Sequence, residues 1–312
     1  MSNDPLAEVV TLLQPTARFS KLVECAGEWR VHRPATGDPF YCAILEGSSR
    51  VIVDGQALTL QAGDFLLVPA MHDLINESLT PPPDGVTTSP VEVSPGRFRI
   101  GEQSGPAQLR IQLGHCRFDS PDAGLLVSLL PQVIIARGEP RLALLLQLIN
   151  EETRARRSAR DFVLQRLLEV MLIEALRCGI DASSAPGLAR GLADERLAIA
   201  LRAIHARPEH SWTVANLAKD SALSRSAFFA RFARTVGLAP MAYLLAWRMA
   251  LAKKRLRGRE SAIEQIAESV GYSSASTFTI AFTRHVGIPP ARYARMQMNG
   301  RDQAIPVNPS NS

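Results

Sequence analysis

The chain has 312 residues, which is enough for two domains with sizeable cores. Its longest apolar runs, 125–130 and 142–146, are far too short to cross a bilayer, so a protein anchored by apolar membrane helices is excluded. The four cysteines form no CxxC pair and no zinc-finger spacing, and the N-terminus shows no basic-then-apolar leader. We therefore expect a reduced, cytoplasmic protein.

Charge is distributed unevenly along the chain. Residues 191–300 hold 16 Lys and Arg against 7 Asp and Glu, a net charge of +9. Since the whole chain carries +5, the remaining residues carry −4. A basic module joined to a mildly acidic one is typical of a nucleic-acid binder whose other half has a separate role.

The first 120 residues consist mainly of short apolar runs separated by Gly, Pro and Asp. Helical spacing at 6–13 predicts a short opening helix. The runs that follow predict strands at 40–45, 50–53, 57–60, 65–68, 98–100 and 109–113. Asp54-Gly55, between two of them, predicts a tight hairpin. Many short strands with frequent turns are typical of a β-barrel or sandwich, and the proline-rich residues 80–96 are predicted to be a mobile loop inside it.

Helical periodicity begins after Pro121. Apolar residues share one face at 142–149 and form a longer stripe at 161–177. Two interpretations of the longer stripe are open, because a wide apolar face can cover the barrel, form part of a dimer interface, or do both.

The small and polar segment that starts at Cys178 and ends at Gly187 is predicted to be an interdomain linker. A helix at 188–207 is expected to begin the second module. Trp212 is predicted to anchor the core of that module, and Thr213 to cap the helix that follows.

One pattern occurs twice in the last hundred residues. The first copy contains Val214-Ala215-Asn216-Leu217-Ala218, then Phe232-Ala233-Arg234-Thr235-Val236-Gly237, and Tyr243. The second contains Ile263-Glu264-Gln265-Ile266-Ala267, then Phe282-Thr283-Arg284-His285-Val286-Gly287, and Tyr293. The offset is 49 residues at the start and 50 from the phenylalanine onward. This indicates two copies of one unit that differ by a single inserted residue at the turn.

Each copy predicts two helices joined by a short turn. The second helix carries phenylalanines at i and i+4 and ends at Val-Gly, with the glycine as C-cap. Ser224 is expected to cap this helix in the first copy, and Ser261-Ala262-Ile263-Glu264 to open the second copy as a capping box. Helix, turn and helix form the pattern whose second helix enters the DNA major groove. Two in tandem, joined by the amphipathic stretch 241–257, predict a DNA-binding module.

The C-terminal module resembles the DNA-binding domain of the AraC/XylS family of bacterial transcription regulators. The resemblance is carried by Ile266-Ala267, Val270-Gly271-Tyr272, Ser274, Phe278, Ala281-Phe282, Arg284, Gly287, Pro290 and Tyr293. Residues 20–177 are similar to the cupin-type sensor of one branch of that family, through Glu46-Gly47, Val53-Asp54-Gly55, Ala62-Gly63-Asp64, Val68-Pro69, His72 and Ser128-Leu129-Leu130-Pro131.

This resemblance implies an α+β chain with two domains. A cupin-like β-barrel with covering helices is expected at 1–177, where it would sense an effector and dimerise. A linker at 178–190 and an all-α tandem helix-turn-helix domain at 191–298 are expected to follow, then a disordered tail at 299–312. The two helix-turn-helix units are placed at about 213–237 and 262–287.

The resemblance also implies two recognition helices, at about 225–236 and 275–286, in successive major-groove segments. The outward residues by motif position are Arg225, Ser226, Phe229 and Ala230 in the first helix and Ala275, Ser276, Thr277, Thr279 and Ile280 in the second. The candidates for phosphate contact are Arg225, Arg231, Arg234, Arg248, Lys253, Lys254 and Arg284.

Three of the outward positions depart from the family pattern. Phe229, Ala230 and Ile280 stand where relatives often carry polar or basic residues. We therefore expect weak direct readout, with DNA shape and phosphate contacts contributing more of the affinity. Phe229 has a second interpretation as a core residue, because Phe228 is its neighbour.

The chain is thus predicted to be a sequence-specific transcription regulator and not an enzyme, with no cofactor. Its expected partners are a double-stranded DNA operator, a small-molecule effector, RNA polymerase and a second copy in a homodimer, but no membrane. Strand alternation suggests that the effector site is lined by Tyr41, Leu45, Leu66, Val68, His72 and Leu113.

Two alternatives use the barrel differently. One is a metal-dependent cupin enzyme fused to the DNA module, although Phe40-Tyr41-Cys42 replaces the His-x-His of metal-binding cupins. His72, His32, His115 and Cys116 remain as scattered donors for a soft divalent metal. Because a histidine in a β core is more often simply hydrogen-bonded, we predict no metal site. The other alternative is an effectorless, constitutive DNA binder.

Overall fold

The computed structural model describes residues 4–70, 73–120, 123–155, 157–178, 186–258 and 261–302. Contacts within the chain divide it into two compact units. The β unit contains Leu6–Ala193, and the helical unit contains Asp194–Ser312 with Met1–Pro5. Within the predicted linker, Cys178 ends one helix and Leu188 begins another, while 179–185 lie outside the described residues.

In the β unit, strands make up most of the chain up to Phe118, and helices make up most of it afterward. They are α1 (Pro5–Leu13), β1 (Pro15–Ala26), β2 (Arg30–Arg33), β3 (Phe40–Glu46), β4 (Ser48–Val53), β5 (Gln56–Gln61), β6 (Phe65–Val68), β7 (Leu74–Glu77), β8 (Val91–Ser94), β9 (Arg97–Gly101), β10 (Leu109–Phe118), α2 (Ala123–Val127), β11 (Ile134–Ala136), α3 (Pro140–Arg154), α4 (Arg160–Cys178) and α5 (Leu188–Ala193).

The strands form two sheets. The larger has the order β11-β6-β3-β10-β1-β9-β8, and the smaller has the order β2-β7-β4-β5. Among the described strands, all pairings are antiparallel except that of β1 with β9. The predicted hairpin at Asp54-Gly55 is confirmed, since both residues have positive φ (48° and 78°) and Val53 pairs with Gln56 across the turn.

The structure corrects the prediction of a mobile loop at 80–96. Residues 91–94 form β8, which pairs with β9. The earlier part of the segment is held by Arg30 of β2, whose guanidinium donates to the Pro83 carbonyl, while Thr88 N–H donates to the Arg30 carbonyl at 2.6 Å. The sequence did not indicate these hydrogen bonds because they join residues more than 50 positions apart.

The core of the β unit lies between the sheets. It includes Phe40, Cys42 and Ile44 of β3, and further apolar side chains from β1, β2, β4, β5, β6, β7, β9 and β10. On the other side of the larger sheet, α3 and α4 bury Leu146, Leu168 and the rest of their apolar stripes. The stripe at 161–177 therefore covers the sheet.

The helical unit contains seven helices in its described part. They are α6 (Glu195–Ala206), α7 (Val214–Asp220), α8 (Arg225–Val236), α9 (Pro240–Gly258), α10 (Ile263–Ser269), α11 (Ala275–Val286) and α12 (Pro290–Asp302). The single helix predicted at 188–207 is wrong. It is divided into α5 and α6 because Asp194 is the N-cap of α6, where its carboxylate accepts from the N–H groups of Arg196 and Leu197.

The helix ends of the two repeat copies are built alike. Ser224 Oγ accepts from Ala227 N–H and Ser274 Oγ from Thr277 N–H, so each second helix has a serine cap. Gly237 and Gly287 end these helices, both with φ of 86°, as predicted. At the start of the second copy the N-cap is Ala262 rather than Ser261. Only the Gln265 side chain, which accepts from Ala262 N–H, supplies the cap.

The aromatic cores of the two copies also correspond residue by residue. The Phe228 and Phe232 rings lie 5.6 Å apart, and Phe232 packs edge-on against Tyr243. In the second copy the matching set is Phe278, Phe282 and Tyr293, with centroid distances of 5.4 and 5.6 Å. Trp212 is buried and donates to the Arg207 carbonyl, and Thr213 caps α7, as predicted.

The fold class predicted from the sequence, a cupin-like β domain followed by tandem helix-turn-helix units, is confirmed. Two boundaries differ. The units divide between Ala193 and Asp194, after the predicted linker at 178–190. Residues 299–302, predicted as part of a disordered tail, continue α12, and 303–312 lie outside the described residues. No single helix in the described ranges is long and apolar enough to cross a membrane; only the pair α8 and α9, bent by 54°, meets that criterion together.

Candidate functional site

The outer faces of α8 and α11 carry most of the predicted base-contacting residues. Arg225, Ser226, Phe229 and Ala230 are exposed on α8, and Ser276, Thr277 and Ile280 are exposed on α11. Ala275 and Thr279 are half-buried. The opposite face of each helix holds its aromatic core, so the phenylalanines fix the helix in place. The predicted base-contacting residues named above form an exposed surface on each helix, which we call its outer strip.

The structure decides between the two interpretations of Phe229. Its side chain is 47% exposed, whereas that of Phe228 is fully buried. Ile280 is exposed by 67%. Large apolar side chains therefore stand on the outer strips of both helices, where a partner surface would cover them.

The hydroxyl groups on these strips are partly used by their own helices. Thr277 Oγ1 donates to the Ser274 carbonyl, and Thr279 Oγ1 donates to the Ala275 carbonyl at 2.7 Å. Each oxygen keeps the ability to accept a hydrogen bond, but its proton is engaged. These residues are thus better suited to accept from a base than to donate to one.

Three of the predicted phosphate-contacting arginines are accessible to a DNA backbone. Arg225, Arg234 and Arg284 are exposed, and none of them forms an ion pair with another described residue. Arg234 and Arg284 occupy equivalent positions in the two copies, 50 residues apart. Lys254 is also exposed.

Arg231 has an intramolecular partner that its sequence position does not reveal. Its Nε donates to Asp194 Oδ2 at 2.6 Å, so the arginine supports the residue that caps α6. Burial alone would raise the pKa of Asp194, but hydrogen bonds from Arg231 and Leu197 N–H outweigh it, and the pKa lies below its ordinary value. Arg231 is therefore a structural residue first.

The structure also corrects the predicted phosphate contacts of Arg248 and Lys253. Arg248 Nε donates to the Pro208 carbonyl at 2.7 Å and its Nη2 to the His210 carbonyl at 2.8 Å. Burial lowers the pKa of this guanidinium, which ties α9 to the loop before α7. Lys253 is buried, at 9% exposure. Both residues were predicted as phosphate contacts from charge alone, which does not show the side of α9 on which they lie.

In the β unit, strand pairing places the predicted effector-lining residues on two different faces. Leu66, Val68 and Leu113 belong to the core between the sheets. Tyr41 and Leu45 alternate with the core residues of β3 and so point to the opposite side, where Leu45 is exposed. The prediction for these two residues is wrong because it assigned β3 the wrong face. His72 lies outside the described residues.

The structure reveals a cleft that the sequence did not indicate. It has a volume of about 920 Å³, and its lining includes Trp29, Ser48, Ser78, Thr88, Glu102 and Gln108. These residues come from loops and strand ends spread over 80 positions of sequence, so periodicity within one strand gives no signal for it.

Two of the candidate metal donors, His32 and His115, have other partners. His32 bonds Asp73 at 2.7 Å, and His115 Nε2 lies 3.2 Å from an Arg33 nitrogen. Burial raises the pKa of the Cys116 thiol to about 12, which makes it a poor ligand. Within the described ranges, no three His, Cys, Asp or Glu side chains are grouped as ligands for a metal ion.

Comparison with known proteins matches both units. The cupin family model matches residues 4–181, and the helix-turn-helix domain model matches residues 217–296. A putative AraC-like transcription regulator of Streptomyces lividans is 32% identical over 94% of this chain and 98% of its own length. Another from Streptomyces antibioticus is 34% identical over 95% and 99%. The DNA-binding domain of AdpA, solved with a target DNA, is 26% identical over 36% of this chain and 99% of its own, with a TM-score of 0.33.

Proposed function

Because the chain belongs to the AraC-like transcription regulators, we propose that α8 and α11 read two successive major-groove segments of one operator. The family predicted from the sequence is confirmed, and these relatives are named as regulators rather than enzymes. The proposal rests on one observation: equivalent cores and caps hold α8 and α11 as matching helices, each with a separate exposed strip.

The two strips differ in the contacts they can make. Phe229 and Ala230 on α8, and Ile280 on α11, offer apolar surface that suits the 5-methyl group of thymine. Arg225 at the start of α8 is exposed and forms no ion pair with another described residue, so its guanidinium can contact a guanine or a phosphate, whereas its counterpart Ala275 cannot. We propose that the α11 half of the operator is read largely through thymine methyl groups and DNA shape.

Deoxyuridine lacks that methyl group and keeps base pairing, so it tests this contact directly. Once an operator is defined, replacing a contacted thymine under α11 by deoxyuridine should weaken wild-type binding by several-fold. The same replacement should have no effect on Ile280→Ala, because the side chain that meets the methyl group is already gone. Ile199→Ala, which truncates an isoleucine that is 47% exposed on α6, is the matched control and should behave as wild type.

A footprint of the full-length protein tests the overall arrangement. We expect two protected major-groove segments on one face of the DNA, about 34 Å or one helical turn apart. Ser226→Arg should alter only the segment under α8, and Ser276→Arg only the other. A single protected segment, or changes in both segments from either substitution, would refute the two-helix arrangement.

We further propose that the β unit senses a small molecule and that the protein acts in the cytoplasm as a homodimer that contacts RNA polymerase. The cleft of about 920 Å³ supports ligand binding. Exposed Phe162 and Val170 on α4 support association between copies, since they remain uncovered beside the buried stripe. Sedimentation of wild type and of the double variant Phe162→Ser with Val170→Ser tests this association. A wild-type monomer would contradict the dimer.

Two observations would favour the alternative functions. Stoichiometric bound metal would favour the metal-dependent enzyme, and operator affinity that responds to no small molecule would favour the constitutive binder.

A further inference from the structure

Three basic side chains enter one end of the space between the two sheets of the β unit. They are Lys21 of β1, Arg33 of β2 and His115 of β10. Each lies two residues from a core residue on the same strand, so it shares that residue's face: Val23, Val31 and Leu113 respectively. Together with the aromatic residues beside them, they form what we call the basic mouth.

The walls of the basic mouth are aromatic. The His115 ring lies between Phe19 and Phe40, its strand partners on either side, with centroid distances of 4.7 and 5.2 Å. The Lys21 ammonium lies 5.0 Å from the centroid of Phe19 and 4.6 Å from that of Phe98. The aromatic faces hold the Lys21 ammonium close to apolar surface.

Among the described residues, the Arg33 guanidinium has one side-chain hydrogen-bond partner, His115. Arg33 Nη1 lies 3.2 Å from His115 Nε2, and its guanidinium carbon lies 5.4 Å from the centroid of Phe40. The arrangement fits a neutral His115 that accepts from Arg33. Burial, and then the charges of Arg33 and Lys21, lower the pKa of His115 to about 4, so the imidazole is uncharged near pH 7.

Within the described ranges, no carboxylate pairs with Arg33 or Lys21. The negative charge of Asp38 acts to raise the pKa of His115, but this carboxylate is itself paired with Arg18 at 2.7 Å. Glu92 acts on Lys21 only at longer range. Burial lowers the pKa of both basic groups, and the opposing effect of Glu92 on Lys21 does not outweigh it. A bound anion would offset that desolvation cost.

We propose that the basic mouth binds a small organic acid, with its carboxylate between Arg33 and Lys21 and its apolar body against Phe19, Phe40 and Phe98. The planar guanidinium suits a carboxylate, and the aromatic walls favour an apolar body over a fully hydrated anion. The basic mouth is a separate site from the cleft of about 920 Å³, whose lining includes none of these residues. The proposal rests on the proposed sensing role of the β unit and gives the chemical class of a ligand for it.

The test is isothermal titration calorimetry of the full-length protein with hexanoate, phenylacetate and inorganic phosphate. Hexanamide and phenylacetamide are the neutral controls, because they keep the shape and lose the charge. We expect at least one carboxylate to bind at least tenfold more tightly than its amide. Arg33→Gln and Lys21→Met should each weaken that binding at least tenfold. Arg97→Gln, an exposed arginine paired with Glu24, should leave it unchanged.

Melting of each variant without ligand shows whether it is folded, and Lys21→Met provides the test if Arg33→Gln does not fold. Binding of phosphate alone would overturn the organic acid, as would no binding of either carboxylate, or carboxylate binding that both substitutions leave unchanged. A repeat of the titration in the presence of DNA separates the two proposals. Carboxylate binding with unchanged DNA affinity would support the site and remove only its regulatory role.

Discussion

The two helix-turn-helix copies share their interior and differ on their outer face. Phenylalanines 228 and 232 and Tyr243 in the first copy correspond to 278, 282 and 293 in the second, and both recognition helices have a serine cap and a glycine end. Yet Arg225 corresponds to Ala275, and Ala230 to Ile280. The comparison shows that a repeated core fixes two helices in matching settings while their outer residues are free to differ.

The turns of the two copies share a backbone conformation but differ in the residue that adopts it. Each contains one residue with positive φ, Ala222 at 51° in the first and Gly271 at 83° in the second. At Gly271 a Cβ would lie 2.4 Å from the Arg248 guanidinium and 2.7 Å from the Glu209 carbonyl oxygen. The second turn therefore needs glycine for space as well as conformation, because Arg248 is held against it by two backbone carbonyls.

The largest effect is expected from the shared core. Phe232→Ala and Phe282→Ala each remove a fully buried ring, and each should lower the free energy of unfolding by about 4 kcal/mol. Urea denaturation of the full-length protein, followed by circular dichroism, measures both. Similar losses would support the equivalence of the two cores, while a loss below about 1 kcal/mol in one variant would contradict it.

The turn residues should respond in opposite directions. Gly271→Ala should destabilise the protein by about 2 kcal/mol, since it combines left-handed backbone strain with a clash. Ala222→Gly should be neutral or stabilise it by less than about 1 kcal/mol, because glycine relieves the strain but gains entropy when unfolded. Thermal melts compare the two variants. Equal destabilisation by both would contradict the account of the turns.

Arg234 and Arg284 test equivalence at the DNA surface. Substitution of either by Ala should lower the slope of log affinity against log salt by about 1 and weaken binding about fivefold at 0.15 M salt, the counterion-release effect of one phosphate. Fluorescence anisotropy with a labelled duplex measures this, and Arg202→Ala on α6 is an exposed arginine control. If only one of the pair changes the slope, the two helices do not approach the backbone alike.

Arg231 has no counterpart in the second copy, and its effect should be the smallest. Its pair with Asp194 is partly exposed, so Arg231→Ala should cost about 0.5 kcal/mol. The folded-state pKa of Asp194 is lowered, so this stability is present above the unfolded pKa near 3.8 and is lost as the pH falls through the folded value. Melts at pH 7 and pH 3 should therefore differ less in the variant. A lower salt slope for DNA binding would instead return Arg231 to the phosphate contacts.

Sequence alone predicted the repeated parts of the fold well. Helices 225–236 and 275–286, their glycine ends and the Asp54-Gly55 hairpin follow from local patterns, because periodicity and turn chemistry are encoded in neighbouring residues. The long strand β1, with its mixed apolar and charged residues, was missed because its identity depends on pairing with β10, some 90 residues away.

Side-chain partners could not be predicted in this way. The positive charge of Arg231 and Arg248 was visible, but the Asp194 carboxylate and the Pro208 and His210 carbonyls that engage them are brought close only by the fold. The same holds for the basic mouth, where Lys21, Arg33 and His115 come from three strands. Tyr41 was assigned to the interior because a shift of one residue exchanges the two faces of a strand.

The measurement that most directly tests the central claim is the affinity of the full-length protein for its own upstream DNA and for random duplexes, across salt concentrations. We expect steep salt dependence for both and tighter binding to one upstream site, with the preference lost when the outer strips of α8 and α11 are replaced by alanine. Failure to bind any duplex at low salt would contradict DNA reading by α8 and α11, as would binding unaffected by those replacements.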